Sequence, residues 1–65
     1  MRNFTRKDVL VQWSKDSFGA WVCRVVRRST GQEIGLRMNV EKRSKLVSGS
    51  LVSGVLAYLN EYEAA

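Results

Sequence analysis

Two arginines in the middle of the chain are the residues whose type and spacing bear most directly on chemistry. Arg24 and Arg37 lie on either side of a turn signal at Thr30-Gly31, within segments rich in β-branched residues. If these segments pair as antiparallel strands, the two guanidinium groups can come opposite each other. Like charges directly across strands destabilise a sheet, and Gly35 beside them leaves the backbone open to close approach. This pattern predicts a site for an external anion, although a solvated sheet face whose arginines splay apart would give the same pattern.

Further basic residues extend the region that could attract an anion. The net charge is +5, and all 11 Lys and Arg residues lie in the first 45 positions. Because four of the six acidic residues also lie there, residues 1–45 carry +7 and residues 46–65 carry −2. A basic surface attracts polyanions, with nucleic acid first and acidic protein or membrane lipid second. The residues that we predict to bind nucleic acid are Arg24, Arg37, Arg28, Gln12, Lys15, Arg2, Arg6, Lys7, Lys42, Arg43 and Lys45.

Residue types that support catalysis or metal binding are sparse. The chain has no histidine, which removes the commonest general base and metal ligand. Its one cysteine, Cys23, cannot form an intrachain disulfide and is expected to lie in the core. The carboxylates show no metal-loop or acid–base spacing, and the serines lack the base of a catalytic triad. We therefore expect neither enzymatic activity nor a cofactor.

The sequence predicts a cytoplasmic protein without a membrane segment. No apolar run approaches the length of about 18 residues that a membrane-spanning helix needs. The charged N-terminus is not followed by the apolar core of a secretion signal. The lack of a disulfide framework also suits a reducing compartment.

Three short segments have the alternating apolar pattern that is typical of strands. In the first, Val9, Val11 and Trp13 point to one side, and the residues between them point to the other. A five-residue hairpin loop ending at Gly19 joins the first two segments, and a turn at Thr30-Gly31 joins the last two. The predicted strands span residues 8–14, 20–28 and 32–38.

The register of these strands decides which side chains share a face. Pairing Trp13 with Trp21, and Val25 with Leu36, collects apolar residues on one face. That face consists of Val9, Val11, Trp13, Trp21, Cys23, Val25, Ile34, Leu36 and Met38, with Arg27 at its margin. The other face then carries Leu10, Gln12, Val22, Arg24, Val26, Arg28, Glu33, Gly35 and Arg37. A three-residue turn would instead bury Arg24 among apolar side chains at a high cost in free energy, so we prefer the first register.

A C-terminal helix is predicted over residues 50–63, whereas residues 40–48 are expected to form a turn or a short irregular helix. The apolar side chains of the helix fill one broad arc, at Leu51, Val52, Val55, Leu56, Tyr58, Leu59 and Tyr62. The opposite side is small and nearly uncharged, at Ser50, Ser53, Gly54, Ala57, Asn60 and Glu61. Small residues let another backbone come close, either in tight packing onto the chain's own sheet or in a homodimer through this helix. The uncharged helix face and the small core lead us to predict the homodimer.

These elements predict an α+β fold, in which a three-stranded antiparallel β-meander packs on one C-terminal α-helix. Residues 8–65 are expected to form this single small domain. Residues 1–7 are expected to form a flexible basic arm that Phe4 could anchor.

Two stretches of the predicted sheet read Gly-Ala-Trp-Val-Cys-Arg at residues 19–24 and Arg-Ser-Thr-Gly-Gln-Glu-Ile-Gly-Leu at residues 28–36. They have a resemblance to the arm-binding domain of phage-type tyrosine recombinases and the related plant GCC-box-binding domain. It implies a three-stranded sheet that lies in the DNA major groove, helped by a basic N-terminal tail, in a protein without the recombinase catalytic domain. The residues that match the family's DNA contacts would be Arg24, Arg37, Arg2 and Arg6. This chain departs from the family by interposing residues 40–49 before its helix.

A second segment reads Gly-Leu-Arg-Met-Asn-Val-Glu at residues 35–41 and is followed by Leu46. It is similar to the strand-to-helix junction of the single-strand-binding transcription coactivator family. The resemblance implies single-strand binding and a dimer formed through the helix, although that family generally has four strands. Together the residues and the resemblances predict a small non-catalytic protein that binds nucleic acid, with DNA favoured, through the basic open face of its sheet. The alternative is a phage or mobile-element type of protein that binds and inhibits an acidic host protein.

Overall fold

Three antiparallel strands and one long helix make up the fold in a computed structural model, which describes residues 3–63. The strands are adjacent in chain order and form one open sheet. Their bounds are Val9–Lys15 for β1, Trp21–Arg27 for β2 and Glu33–Val40 for β3, and helix α1 spans Lys45–Tyr62. The predicted α+β arrangement of a β-meander with a C-terminal helix is therefore confirmed.

The first hairpin loop is built by a single carboxylate. Asp16 Oδ1 accepts hydrogen bonds from the backbone N–H groups of Phe18 at 2.8 Å and Ala20 at 3.0 Å. Gly19 has φ of +83°, a conformation that glycine adopts without strain. Because Asp16 closes the loop directly after Lys15, β1 and β2 remain paired up to Lys15 and Trp21.

The register between β1 and β2 differs from the predicted one by two residues. Trp13 lies opposite Cys23 and Val11 lies opposite Val25, whereas the sequence analysis placed Trp13 opposite Trp21. The hairpin loop keeps five residues but lies one position later than predicted, at residues 16–20, and this displacement moves the pairing along the strands. A shift of two residues keeps every side chain on its predicted face, because successive side chains alternate.

The predicted register between β2 and β3 is wrong by one residue at the centre of the pair. Arg24 lies opposite Leu36, and Cys23 lies opposite Arg37. Gly35 passes beneath α1, where an added Cβ would lie 2.6 Å from Val55 Cγ2. Close approach of the helix therefore selects the register that turns this glycine toward it.

This register, with irregular pairing at both ends of β3, sorts the side chains onto two faces. The covered face, which lies under α1, carries Val9, Val11, Trp13, Trp21, Cys23, Val25, Gly35 and Arg37. The open face carries Leu10, Gln12, Ser14, Val22, Arg24, Val26, Glu33, Leu36 and Met38. Leu36 and Met38 have thus exchanged faces with Gly35 and Arg37 relative to the prediction. The irregular end of β3 includes Asn39, whose φ is +59°. After Asn39, the buried Val40 lies on the covered face opposite Trp21.

Residues from the sheet and from α1 form the hydrophobic core. Five side chains are buried together, and Phe4, Val11, Ile34, Leu51 and Leu56 pack around them. The central five are Val9, Val25, Val52, Val55 and Leu59. Full burial of one such side chain contributes about 1.5–3 kcal/mol.

Helix α1 begins five residues before the predicted start, so the expectation of irregular structure is wrong for residues 45–48. Ser44 caps the helix, because its Oγ accepts hydrogen bonds from the N–H groups of Leu46 at 3.2 Å and Val47 at 3.5 Å. Leu46 is 84% exposed. The cap rather than burial specifies the first turn, which explains why apolar periodicity did not reveal it.

Residues 4–8, most of which were assigned to a flexible arm, lie against the domain. Thr5 and Asp8 form a capping box around a 3-10 turn at Arg6–Asp8. The side chain of Asn60 donates to Phe4 O at 3.2 Å and accepts from Phe4 N at 2.7 Å. This pairing ties the N-terminal segment to α1 while the Phe4 ring packs on the core.

Candidate nucleic-acid interface

Two tryptophans meet at the end of the sheet that lies near the start of α1. Trp13 is in β1 and Trp21 opens β2, and the hairpin loop brings their rings to 6.3 Å at an interplanar angle of 87°. Both side chains are only partly buried. They border a cleft of about 530 Å³, which we call the tryptophan cleft. Its lining residues are Trp13, Trp21, Lys42, Arg43, Ser44, Lys45 and Ser48.

Four cations surround this cleft. Lys15 Nζ and the Arg43 guanidinium each lie 5.1 Å from the centre of the Trp21 ring, and Lys42 and Lys45 line the cleft beside them. Cation–π contacts at exposed positions are worth about 0.5–1 kcal/mol. These contacts hold two positive charges beside an aromatic surface.

The cations of the tryptophan cleft have no carboxylate partner within residues 3–63. The ion pairs in that part of the chain join other arginines to Glu33 and Glu63. Asp16 follows Lys15, but its carboxylate accepts from the loop N–H groups. Glu41 precedes Lys42, but it does not line the cleft. The start of α1 at Lys45 adds the positive end of the helix dipole.

The structure separates the two arginines that were predicted to form an anion site. On the open face, Arg24 Nε donates to Glu33 Oε1 at 2.9 Å, and Arg24 Nη1 donates to Ser14 Oγ at 3.0 Å. Gln12 lies opposite Arg24 and is exposed. Arg37 is exposed at the edge of the covered face. The predicted geometry of the Arg24–Arg37 site is therefore wrong, because the register places the two side chains on opposite faces.

A second group of cations, Lys7, Arg27 and Arg28, lies at the other end of the sheet. We call this region the Phe4 end, and it consists of Phe4, Lys7, Asp8, Arg27, Arg28, Ser29 and Glu63. Arg27 Nη2 donates to both carboxylate oxygens of Glu63, at 2.9 and 3.1 Å. Arg28 donates to the backbone oxygens of Lys7 at 3.0 Å and Val9 at 3.4 Å. These arginines hold the N-terminal segment and the end of α1 in place.

The predicted site residues are thus divided among several regions. Lys15, Lys42, Arg43 and Lys45 come together at the tryptophan cleft, whereas Lys7 and Arg28 belong to the Phe4 end and Arg6 is exposed in the 3-10 turn beside it. Arg2 lies outside the described residues. Trp13 and Trp21 were missed because their alternation assigned them to the core. The signal available in the sequence was their position on either side of a hairpin loop, with Lys15 between them.

No other group in the described residues suggests reaction chemistry. Cys23 is fully buried, and burial raises the pKa of its thiol, which makes the reactive thiolate scarcer. No cluster of three or more Cys, Asp or Glu residues within 3–63 could hold a metal ion. Helix α1 lacks the sustained hydropathy that a membrane-spanning helix of its length requires.

Comparison with protein-family models, with curated proteins and with solved structures finds no match to this chain. The resemblances to recombinase arm-binding domains and to the transcription coactivator family therefore stay predictions.

Proposed function

We propose that this protein binds nucleic acid without catalysis and that the tryptophan cleft is its contact surface. One observation carries the proposal: both tryptophans of the chain and four of its cations surround a single cleft with no carboxylate in its lining. The proposal places the protein in the cytoplasm, where both nucleic acid and a reduced Cys23 are expected.

Each type of side chain in the cleft suits a different part of a nucleic-acid strand. Lysine and arginine contact phosphate oxygens, and Arg43 can do so through two parallel N–H groups. An indole ring offers a flat surface on which a base can stack, worth about 1–3 kcal/mol per base. Stacking requires a base that is not already stacked within a duplex. The cleft therefore favours a single strand, and DNA is the first polymer to test.

The cations beside Trp21 do not prevent such stacking. Lys15 and Arg43 are exposed, and each makes only the weak contact with the ring that an exposed cation–π pair provides. An incoming phosphate attracts both side chains more strongly than the ring does, which uncovers the ring surface for a base.

The open face of the sheet is not part of this proposal, although the recombinase resemblance implies it. Arg24 is paired with Glu33 there, and Arg37 lies on the covered face. The open face therefore offers fewer unpaired positive charges than the tryptophan cleft.

Tryptophan fluorescence can test the proposal directly. Because both tryptophans line the cleft, their emission reports on that surface alone. We expect a single-stranded oligonucleotide to quench it at low salt, and the duplex of the same sequence to quench it less. Log affinity should fall linearly with log salt, with a slope of about −0.7 for each phosphate contact on a single strand.

Two triple variants with the same loss of charge separate the cleft from net charge. The test variant is Lys42→Ala, Arg43→Ala and Lys45→Ala; the control is Arg6→Ala, Lys7→Ala and Arg37→Ala. The test variant should lower the steepness of the salt slope by about 2, whereas the control should keep most of the affinity. Equal losses would mean that net charge alone attracts the polymer. No binding at low salt, together with retention of an acidic host protein, would favour the inhibitor alternative.

A further inference from the structure

The open face of the sheet, which α1 does not cover, carries apolar side chains around Gln12 and Arg24 at its centre. Val22 and Val26 are each only 6% exposed and lie on the central strand β2, between Leu10 of β1 and Leu36 and Met38 of β3. Those neighbours are themselves exposed: Leu10 is 40% exposed, Leu36 44% and Met38 54%. A group of exposed apolar side chains on one face of a small protein is typical of an interaction site.

The charges on this face are balanced, in contrast to the rest of the molecule. Arg24 lies between Val22 and Val26 along β2, and its guanidinium is 2.9 Å from Glu33. The two side chains remain 42% and 46% exposed, so each can still reach a partner outside the chain. The chain as a whole carries +5. The positive charge on most of the protein surface would repel a second copy, whereas the open face would not.

We propose that the open face binds the same face of a second copy, which gives a two-fold symmetric dimer with two packed sheets. In a two-fold interface the same patch must fit itself. One cation beside one carboxylate meets this condition, because Arg24 of one copy can face Glu33 of the other while the apolar side chains interdigitate. Two stacked sheets lie about 10 Å apart, a distance that leucine and methionine side chains fill.

The exposed side of α1, through which the sequence predicts dimerisation, has its large apolar side chains away from its centre, at Leu46, Tyr58 and Tyr62. Its central residues Ser50, Ser53, Gly54 and Ala57 are exposed, so this side does not pack on the chain's own sheet. These side chains bury little area even in close contact. The open face instead places Leu10, Leu36 and Met38 around the Arg24–Glu33 pair, whose two charges can complement those of a second copy.

Matched substitutions on the two surfaces decide where a dimer forms. Sedimentation equilibrium of the wild-type chain at high micromolar concentration should give twice the 7.4 kDa chain mass. Leu36→Lys should yield a monomer, whereas Ser53→Lys adds the same charge to α1 and should leave the dimer intact. Circular dichroism checks that each variant is folded, and Met38→Lys repeats the test at a more exposed position. A monomeric wild type, or a dimer that only Ser53→Lys disrupts, would overturn the proposal.

A charge exchange tests the contact between Arg24 and Glu33 across the interface. Arg24→Glu gives a copy with two carboxylates at the contact, and Glu33→Arg gives a copy with two cations. Each variant alone should be monomeric, because its own charges repel those of an identical partner. An equimolar mixture should form a dimer, since every pair across the interface is then complementary. Two variants that stay monomeric when mixed would show that this pairing does not occur.

Discussion

The tryptophan cleft and the Phe4 end use the same kinds of side chain in opposite ways. Each brings aromatic surface next to arginine and lysine, with Arg43 5.1 Å from Trp21 in one and Arg27 6.0 Å from Phe4 in the other. At the Phe4 end, Glu63 and backbone oxygens bind the arginines. At the tryptophan cleft, no carboxylate within the described residues pairs with the cations.

The difference shows that the neighbours of a cation, rather than its residue type, decide whether it is available to a ligand. An arginine that already donates to a carboxylate must lose those hydrogen bonds before it can bind a phosphate. A lysine or arginine whose only partner is water or an aromatic ring loses much less. The Phe4 end therefore supports the fold, whereas the tryptophan cleft can bind an anion.

Removing the aromatic ring at the Phe4 end should have the largest effect on stability. Phe4 is partly buried against the core, so Phe4→Ala should lower the free energy of unfolding by about 2–3 kcal/mol, less than a fully buried phenylalanine would cost. Chemical denaturation measures this change. Oligonucleotide affinity of the folded variant should stay within twofold of wild type. If Phe4→Ala were as stable as wild type, the Phe4 end would have no structural role, and the contrast with the tryptophan cleft would be incorrect.

One arginine from each region makes a matched pair for the next prediction. Arg27 is 19% exposed and its partner Glu63 39%, so Arg27→Ala should cost about 1–2 kcal/mol of stability and leave binding unchanged. Arg43→Ala should cost about 0.5 kcal/mol of stability and reduce the steepness of the salt slope by about 0.7. Thermal melts and fluorescence titrations of both variants measure the two quantities. If Arg27→Ala weakened binding as much as Arg43→Ala, the division between the regions would be incorrect.

The smallest effect concerns Cys23 in the strand that joins the two regions. Burial raises the pKa of this thiol, so the folded chain holds the proton to higher pH than the unfolded chain does. The stability contributed by the protonated thiol is complete below the unfolded thiol pKa of about 8.5. This stability is lost as the pH rises through the folded pKa. Urea unfolding between about pH 8 and pH 10 should show this decline. Cys23→Ala is less stable throughout but should show a flatter dependence, and identical slopes would contradict the prediction.

Local patterns predicted the elements well and the candidate site only in part. Alternation predicted three strands, Gly19 and Gly31 have the positive φ of their turns, and the apolar arc of α1 contains its buried residues Val52, Val55 and Leu59. The basic run at residues 42–45 was recognised, but its proximity to Trp13 and Trp21 was not. That proximity depends on where the chain turns after β3, which no periodic pattern encodes.

The sequence by itself determined the kinds of element, their order and the α+β class, because backbone preference and side-chain period act over a few neighbouring residues. Only the tertiary structure decided which side of β3 faces the helix. The sequence favoured the wrong register, because the observed one was expected to bury Arg24 without a partner, whereas Arg24 is 42% exposed and pairs with Glu33. The contact of Gly35 with Val55 selects the observed register, because the glycine lets α1 lie close to the sheet there. Once Gly35 faces α1, the face of each neighbouring side chain in β3 is set. That one-residue difference placed Arg24 beside Glu33 and moved Arg37 to the covered face.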